Sequence, residues 1–269
     1  MTTSTPPAMP RATPVHRPRS SRRRTPLLRA LVALAALGAS VVLLGLQAPD
    51  GASARTVPAA GVQYQQLAHP VSASPREVVE VFWFNCAHSY QLAQPLRDWA
   101  AKQDPPVTIR HIPAAWPDQP QEMAYARLYY ALDSLGLEDR LEQAVFHAVR
   151  DEHWDLTQPD TLSSWADLQG IDSQQLLAAW NSPEVQAETQ AAPALREKYD
   201  VHEMPSVVVG GRYRTSPFMV PDGVAGTVPT VDYLFKHSVA EAAAATAAAK
   251  KADAGKPAPA RKPGAARKH

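Results

Sequence analysis

Cys86 is the only cysteine in a chain of 269 residues, and His88 and Ser89 follow it within one helical turn. The thiolate, not the thiol, is the nucleophile in disulfide chemistry, so the surroundings of the sulfur decide what it can do. Unpaired amide N–H groups at the start of a helix favour negative charge. A protonated His88 adds to that effect, and the Ser89 hydroxyl can donate a hydrogen bond to the charged sulfur. So placed, Cys86 attacks a disulfide and becomes joined to one half of it as a mixed disulfide. The plain alternative is a buried, inert thiol beside a surface histidine; the position at a helix start favours reactivity. Metal and phosphate chemistry find less support. His147 and His153 do not share a helical face, no Cys or His pair has ligand spacing, and no Gly-rich phosphate loop is present.

The elements that hold these residues follow from the apolar pattern. Val78–Phe84 is almost continuously apolar and β-prone, which suits a central strand covered on both faces. Its one interruption is Glu80, whose plain reading is an edge carboxylate reaching solvent. Leu92, Leu96 and Trp99 recur at helical spacing, so a helix is expected over 86–102, kinked at Pro95 and stopped by Asp104-Pro105-Pro106. Val107–Ile112 reads as a second strand, parallel to the first through a right-handed crossover. From Gln119 to Tyr199 the pattern is helical throughout. Gly170 ends one helix there, Asp172 or Ser173 caps a short one through Trp180, and Pro183 or Glu184 starts another. Strands return at Ser206–Val209, with Gly210-Gly211 as a two-residue hairpin turn and Arg212–Thr215 pairing back. A loop over 216–227 leads to a final helix over Val231–Ala245, and a short edge strand is expected near Gln63–Leu67. This order is α/β, with a mixed central sheet and a helical subdomain inserted at 119–199.

Three stretches in this order carry a resemblance: the strand leading into Cys86-Ala87-His88-Ser89 and its helix; Ala179-Trp180-Asn181-Ser182; and Val201–Tyr213, which contains Met204-Pro205. Over residues 73–240 they resemble the DsbA family of thioredoxin-fold disulfide oxidoreductases, whose active-site segment reads Cys-Pro-His-Cys. The resemblance implies a thioredoxin-like fold. It implies a cis peptide bond at Met204-Pro205 beside the thiol, where the backbone holds a substrate chain by strand-like pairing. It also implies that Glu80 is the family's acid under the site, able to relay protons. This chain departs at Ala87, at Met204 (Val or Thr is usual before the proline) and above all at Ser89, which stands where the second cysteine should be. A hydroxyl cannot expel a bound substrate, so no oxidising equivalent can be stored as an internal disulfide. The chemistry that remains is isomerisation or reduction through mixed disulfides resolved by an external thiol, with glutathone-type small thiols as co-substrate and no bound cofactor.

Charge is segregated along the chain. Seven of the 27 basic residues lie in 1–54 and seven in 247–269, each segment with one acid, so residues 55–246 carry a net charge of −11. That core would meet nucleic-acid phosphates with like charge, which argues against such a partner. Seven arginines precede Ala30–Leu46, seventeen residues without a charge, and Ala52-Ser53-Ala54 is an acceptable cleavage site. Residues 1–54 are therefore expected to be an export signal or, if uncleaved, a membrane anchor through 30–46. Residues 55–72 read as a linker, and 241–269 as an Ala/Lys/Pro-rich basic tail, disordered at its end.

Together these features lead to the expectation of a periplasmic or otherwise extracytoplasmic protein acting on exported proteins with cysteines or disulfides, with a possible redox partner in the membrane. Cys86, His88, Ser89 and Glu80 are the expected catalytic set, and Met204 and Pro205 the substrate-binding pair. Two alternatives stay open: a catalytically silent protein that binds unfolded or cysteine-containing polypeptides, and a redox-sensing or covalently dimerising thiol protein.

Overall fold

The structure is a computed structural model that describes residues 57–254. The arginine-rich and uncharged segments of 1–54, including the anchor expected at 30–46, and the tail beyond 254 lie outside the described residues. The membrane-anchor expectation is corrected: among the described residues no helix is long and apolar enough to cross a membrane.

Five strands form one mixed sheet in the order β1-β5-β4-β2-β3: β1 (Gln65–Gln66), β2 (Val78–Phe82), β3 (Ile109–Pro113), β4 (Ser206–Val209) and β5 (Tyr213–Thr215). β2 pairs in parallel with β3 and antiparallel with β4. All five residues of β2 are buried, as an apolar strand flanked on both edges requires. Helix α1 (Ala87–Ala101) supplies the crossover between β2 and β3. Pro95 lies inside α1 without dividing it.

One face of the sheet is sealed by α1 and the last helix, α7 (Val224–Ala254): Leu92, Leu96 and Trp99 meet Val78, Val207, Val231 and Leu234. On the other face Val79, Val81 and Val208 pack against Tyr199 and Val201. Between β3 and β4 run α2 (Pro120–Ser134), α3 (Glu138–Arg150), α4 (Pro159–Leu168), α5 (Ser173–Trp180) and α6 (Pro183–Lys198). Their core of Leu128, Leu132, Phe146, Leu162 and Trp165 is continuous with Phe82 and Phe84 at the end of β2. The molecule is thus a thioredoxin-like α/β fold with an inserted helical subdomain.

Two boundaries differ from the sequence pattern. α7 starts at Val224, inside the expected loop, with Pro229 in its second turn. Proline there has no amide to donate, so the helix gives up one intrahelical bond at that turn. The β4–β5 connection has three residues, 210–212, because Val209 pairs with Tyr213. Gly210 and Gly211 both have positive φ, 59° and 62°. Gly211 also packs on the chain before β2: the Val71 N–H donates to the Gly211 carbonyl at 2.7 Å. A Cβ at Gly211 would collide with the Val71 carbonyl oxygen and press on Ala73. Gly211→Ala is expected to destabilise the fold by about 1–3 kcal/mol from backbone strain alone. Gly136→Ala, at a similar φ of 65° but with open space around it, should cost less. Parallel denaturant melts check both.

Asp172 caps α5 as expected, accepting from the Gln174 and Gln175 amides at 2.9 and 3.1 Å. Asp172→Ala should cost about 1 kcal/mol in the same measurement.

Candidate active site

The site lies where β2 hands over to α1. The chain leaves the sheet after Phe82 and makes a turn in which the Cys86 amide donates to the Trp83 carbonyl at 2.9 Å. Cys86 is then the N-cap of α1, with extended backbone (φ −102°, ψ 121°), and the Tyr90 amide closes the first helical bond on its carbonyl at 3.0 Å. Its side chain caps nothing. The residue is half-buried. Arg150, at the end of α3, braces the turn from the insert by donating to both the backbone and side-chain oxygens of Asn85, at 2.9 and 2.8 Å.

Opposite stands the segment before β4. The Met204–Pro205 bond is cis. The Met204 carbonyl accepts from Cys86 Sγ at 3.4 Å, so residues 118 apart in sequence meet at the sulfur. This segment is tied down on both sides: Ser206 Oγ donates to the Glu203 carbonyl at 2.7 Å, and Ser216 Oγ donates to the Glu203 carboxylate. The 216–219 turn carries Phe218, which is 56% exposed, over the His88 ring at a centroid distance of 4.9 Å. His88, itself exposed, thus forms part of an apolar rim beside the thiol.

Ser89 has a different setting. It is fully buried, and its hydroxyl accepts from the Trp83 N–H at 3.2 Å. No hydrogen bond joins it to Cys86 among the described residues. Its observed partner is the turn that presents the thiol.

Glu80 is buried at 1% exposure, so the solvent-reaching edge carboxylate is excluded. Its partners are not the thiol group but residues from three other elements. His111 of β3 sits across from it in the strand pair, with Nε2 at 3.5 Å from Glu80 Oε2 and 3.9 Å from Glu142 Oε1. His111 Nδ1 meets Glu138 Oε1 at 2.8 Å, and Arg97 of α1 bonds to Glu142. Burial pushes the Glu80 carboxyl up to about 7, against the pull of the neighbouring His111. Burial works against the charged His111 ring, but the Glu138 hydrogen bond and the Glu80 and Glu142 charges outweigh it and hold His111 up at about 9. The structure thus brings Cys86, His88, Met204 and Pro205 together, seats Ser89 beneath the turn, and gives Glu80 a separate cluster.

Sequence reading missed His111, Glu138, Glu142, Arg97 and Phe218. One signal was present: Glu138 and Glu142 lie four residues apart on the same stripe of α3 as Leu141, Val145, Phe146 and Val149, where charge is out of place.

Comparison with known proteins agrees with this arrangement. The family model described as "DSBA-like thioredoxin domain" matches residues 77–227. The thiol:disulfide interchange protein DsbA of Bordetella pertussis is 31% identical over 211 residues, covering 77% of this chain and 95% of the relative. The protein of the same name from Burkholderia cepacia is 28% identical over 204 residues, 74% of this chain and 95% of the relative. Among solved structures, Pseudomonas aeruginosa DsbA superposes with a TM-score of 0.63 at 29% identity, covering 69% of this chain and 96% of that one. Fold order, site placement and similarity across nearly the whole length of these relatives converge, and the chain belongs to the DsbA-like thioredoxin-domain family.

Proposed function

We propose that this protein is an extracytoplasmic thiol:disulfide interchange enzyme that works with one thiol. A general thiol–disulfide role, cysteine-containing protein substrates and a location outside the cytoplasm follow from family membership. The single-thiol mechanism is carried by one observation: the chain's only sulfhydryl is a half-buried helix N-cap whose sulfur lies 3.4 Å from the Met204 carbonyl. In the first step the Cys86 thiolate attacks one sulfur of a substrate disulfide. A Cys86–substrate disulfide forms, the substrate S–S bond breaks, and the other substrate sulfur leaves as thiolate. In the second step an outside thiolate attacks the mixed disulfide and expels Cys86. If that thiolate belongs to the same substrate, the result is isomerisation with no net redox change. If it belongs to a small thiol such as glutathione, that thiol becomes joined to the substrate sulfur; a second small thiolate then attacks this bond, forms the small-thiol disulfide and releases the reduced substrate.

Phe218 and His88 offer an apolar rim for substrate side chains, while the backbone around Met204 and Pro205 offers an extended edge for the substrate chain. The assay is recovery of a scrambled-disulfide protein in a glutathione buffer. The protein should speed recovery above buffer alone. Binding of the substrate without any change in its disulfides would instead support the silent binding reading.

A further inference from the structure

The buried cluster around Glu80 has the makings of a ligand site, independent of Cys86. Glu80, His111 and Glu142 come from β2, β3 and α3, so no local spacing announces them, yet one ligand atom from each lies within 4.8 Å of the others. We propose that these three residues bind a single divalent ion of the zinc class. Tetrahedral ligands on such an ion, with bonds of about 2.0–2.2 Å, stand about 3.3–3.6 Å apart. The His111 Nε2 separations of 3.5 and 3.9 Å from the two carboxylates are close to that, and too long for good hydrogen bonds.

Two further observations point to an ion. First, Oε1 of Glu80 and Oε1 of Glu142 are buried and have no hydrogen-bond partner, although each residue is 1% exposed. Buried carboxylate oxygens left alone are costly, and a cation between them removes that cost. Second, the outer contacts are those of a metal-binding histidine. His111 Nδ1 is engaged by Glu138 at 2.8 Å, which fixes the ring and leaves Nε2 turned toward Glu80 and Glu142. The second oxygen of Glu142 is held by Arg97. Two carboxylates balance a divalent charge, and a donor set of one nitrogen and two oxygens without sulfur suits zinc rather than cuprous ion. On binding, the ion takes the place of any proton on Nε2, which passes to solvent. A cavity of about 460 Å³ borders His111 and Glu138. The ion would pin the helical insert, through α3, to the strand that leads into Cys86.

The test uses the full protein with Cys86→Ser, so that the one thiol cannot bind the metal. After chelator treatment it is titrated with zinc or cobalt(II) by calorimetry, and bound metal is counted. One ion per chain is expected. Glu138→Gln should weaken binding about 10–100-fold by removing the carboxylate charge behind the ring. Glu142→Gln, which removes a ligand at nearly constant volume, should weaken it further. Absence of stoichiometric binding, or equal affinity in wild type and Glu138→Gln, overturns the proposal. Because Glu138 lies at the cluster's edge, that variant decides the matter even if Glu142→Gln does not fold.

Discussion

Cys86→Ala is expected to bring recovery of a scrambled-disulfide protein down to the rate of the glutathione buffer alone. The variant removes the only atom in the chain that can form a mixed disulfide. Structural damage should not contribute. Cys86 belongs to none of the apolar clusters, its side chain caps nothing, and its one side-chain hydrogen bond among the described residues is a weak S–H donation to Met204. Loss of that bond is expected to cost about 1 kcal/mol or less. The thermal midpoint should therefore stay close to wild type while exchange disappears. Equal exchange by the two proteins would remove Cys86 from the chemistry and leave binding as the function.

Ser89→Cys should have the opposite effect and give the protein an activity it lacks. Helix geometry puts Cα atoms three residues apart at about 5 Å, and disulfides form across Cα separations of about 4.4–6.8 Å. A thiol at position 89 can then attack the Cys86–substrate disulfide, release the substrate thiol and leave an internal disulfide. That disulfide in turn oxidises a substrate dithiol: two substrate thiols become one disulfide and the protein returns to two thiols. The loss on the structural side is modest. The position is fully buried and its oxygen accepts from Trp83, so a weaker sulfur acceptor should cost about 1 kcal/mol. Oxidation of a dithiol peptide, measured in oxidised glutathione, should rise from the buffer rate in wild type to a clear catalysed rate in the variant. A folded variant with no such gain would contradict the placement of the site.

Much of this was legible in the residues because it is local. β2 is an apolar run broken only by Glu80, Cys86 stands at its junction with a helical stripe, and α5 begins on a good capping residue at Asp172. Boundaries were harder to read. The last helix was expected from Val231, yet α7 begins at Val224 and carries Pro229 inside it. The three-residue β4–β5 connection follows from the pairing of Val209 with Tyr213, and the packing of Gly211 against Val71 is a contact no local pattern contains. The same limit applies to the site. The Cys86 pairing with Met204 was suggested by family likeness and not by spacing, since 118 residues separate them. The setting of Glu80 was illegible for a related reason: its partners come from α1, β3 and α3, and only folding collects them. Ser89 shows how a residue read for chemistry can also carry structure, because its hydroxyl meets the backbone of the turn at Trp83.

The most direct test of single-thiol exchange is the intact mass of the folded protein after exposure to oxidised glutathione, followed by a reduced peptide thiol. The account predicts one glutathione per chain, attached at Cys86, and its prompt transfer to the peptide when that thiol arrives. A folded protein that takes up no glutathione, or that keeps it when the peptide thiol is in excess, would contradict the account.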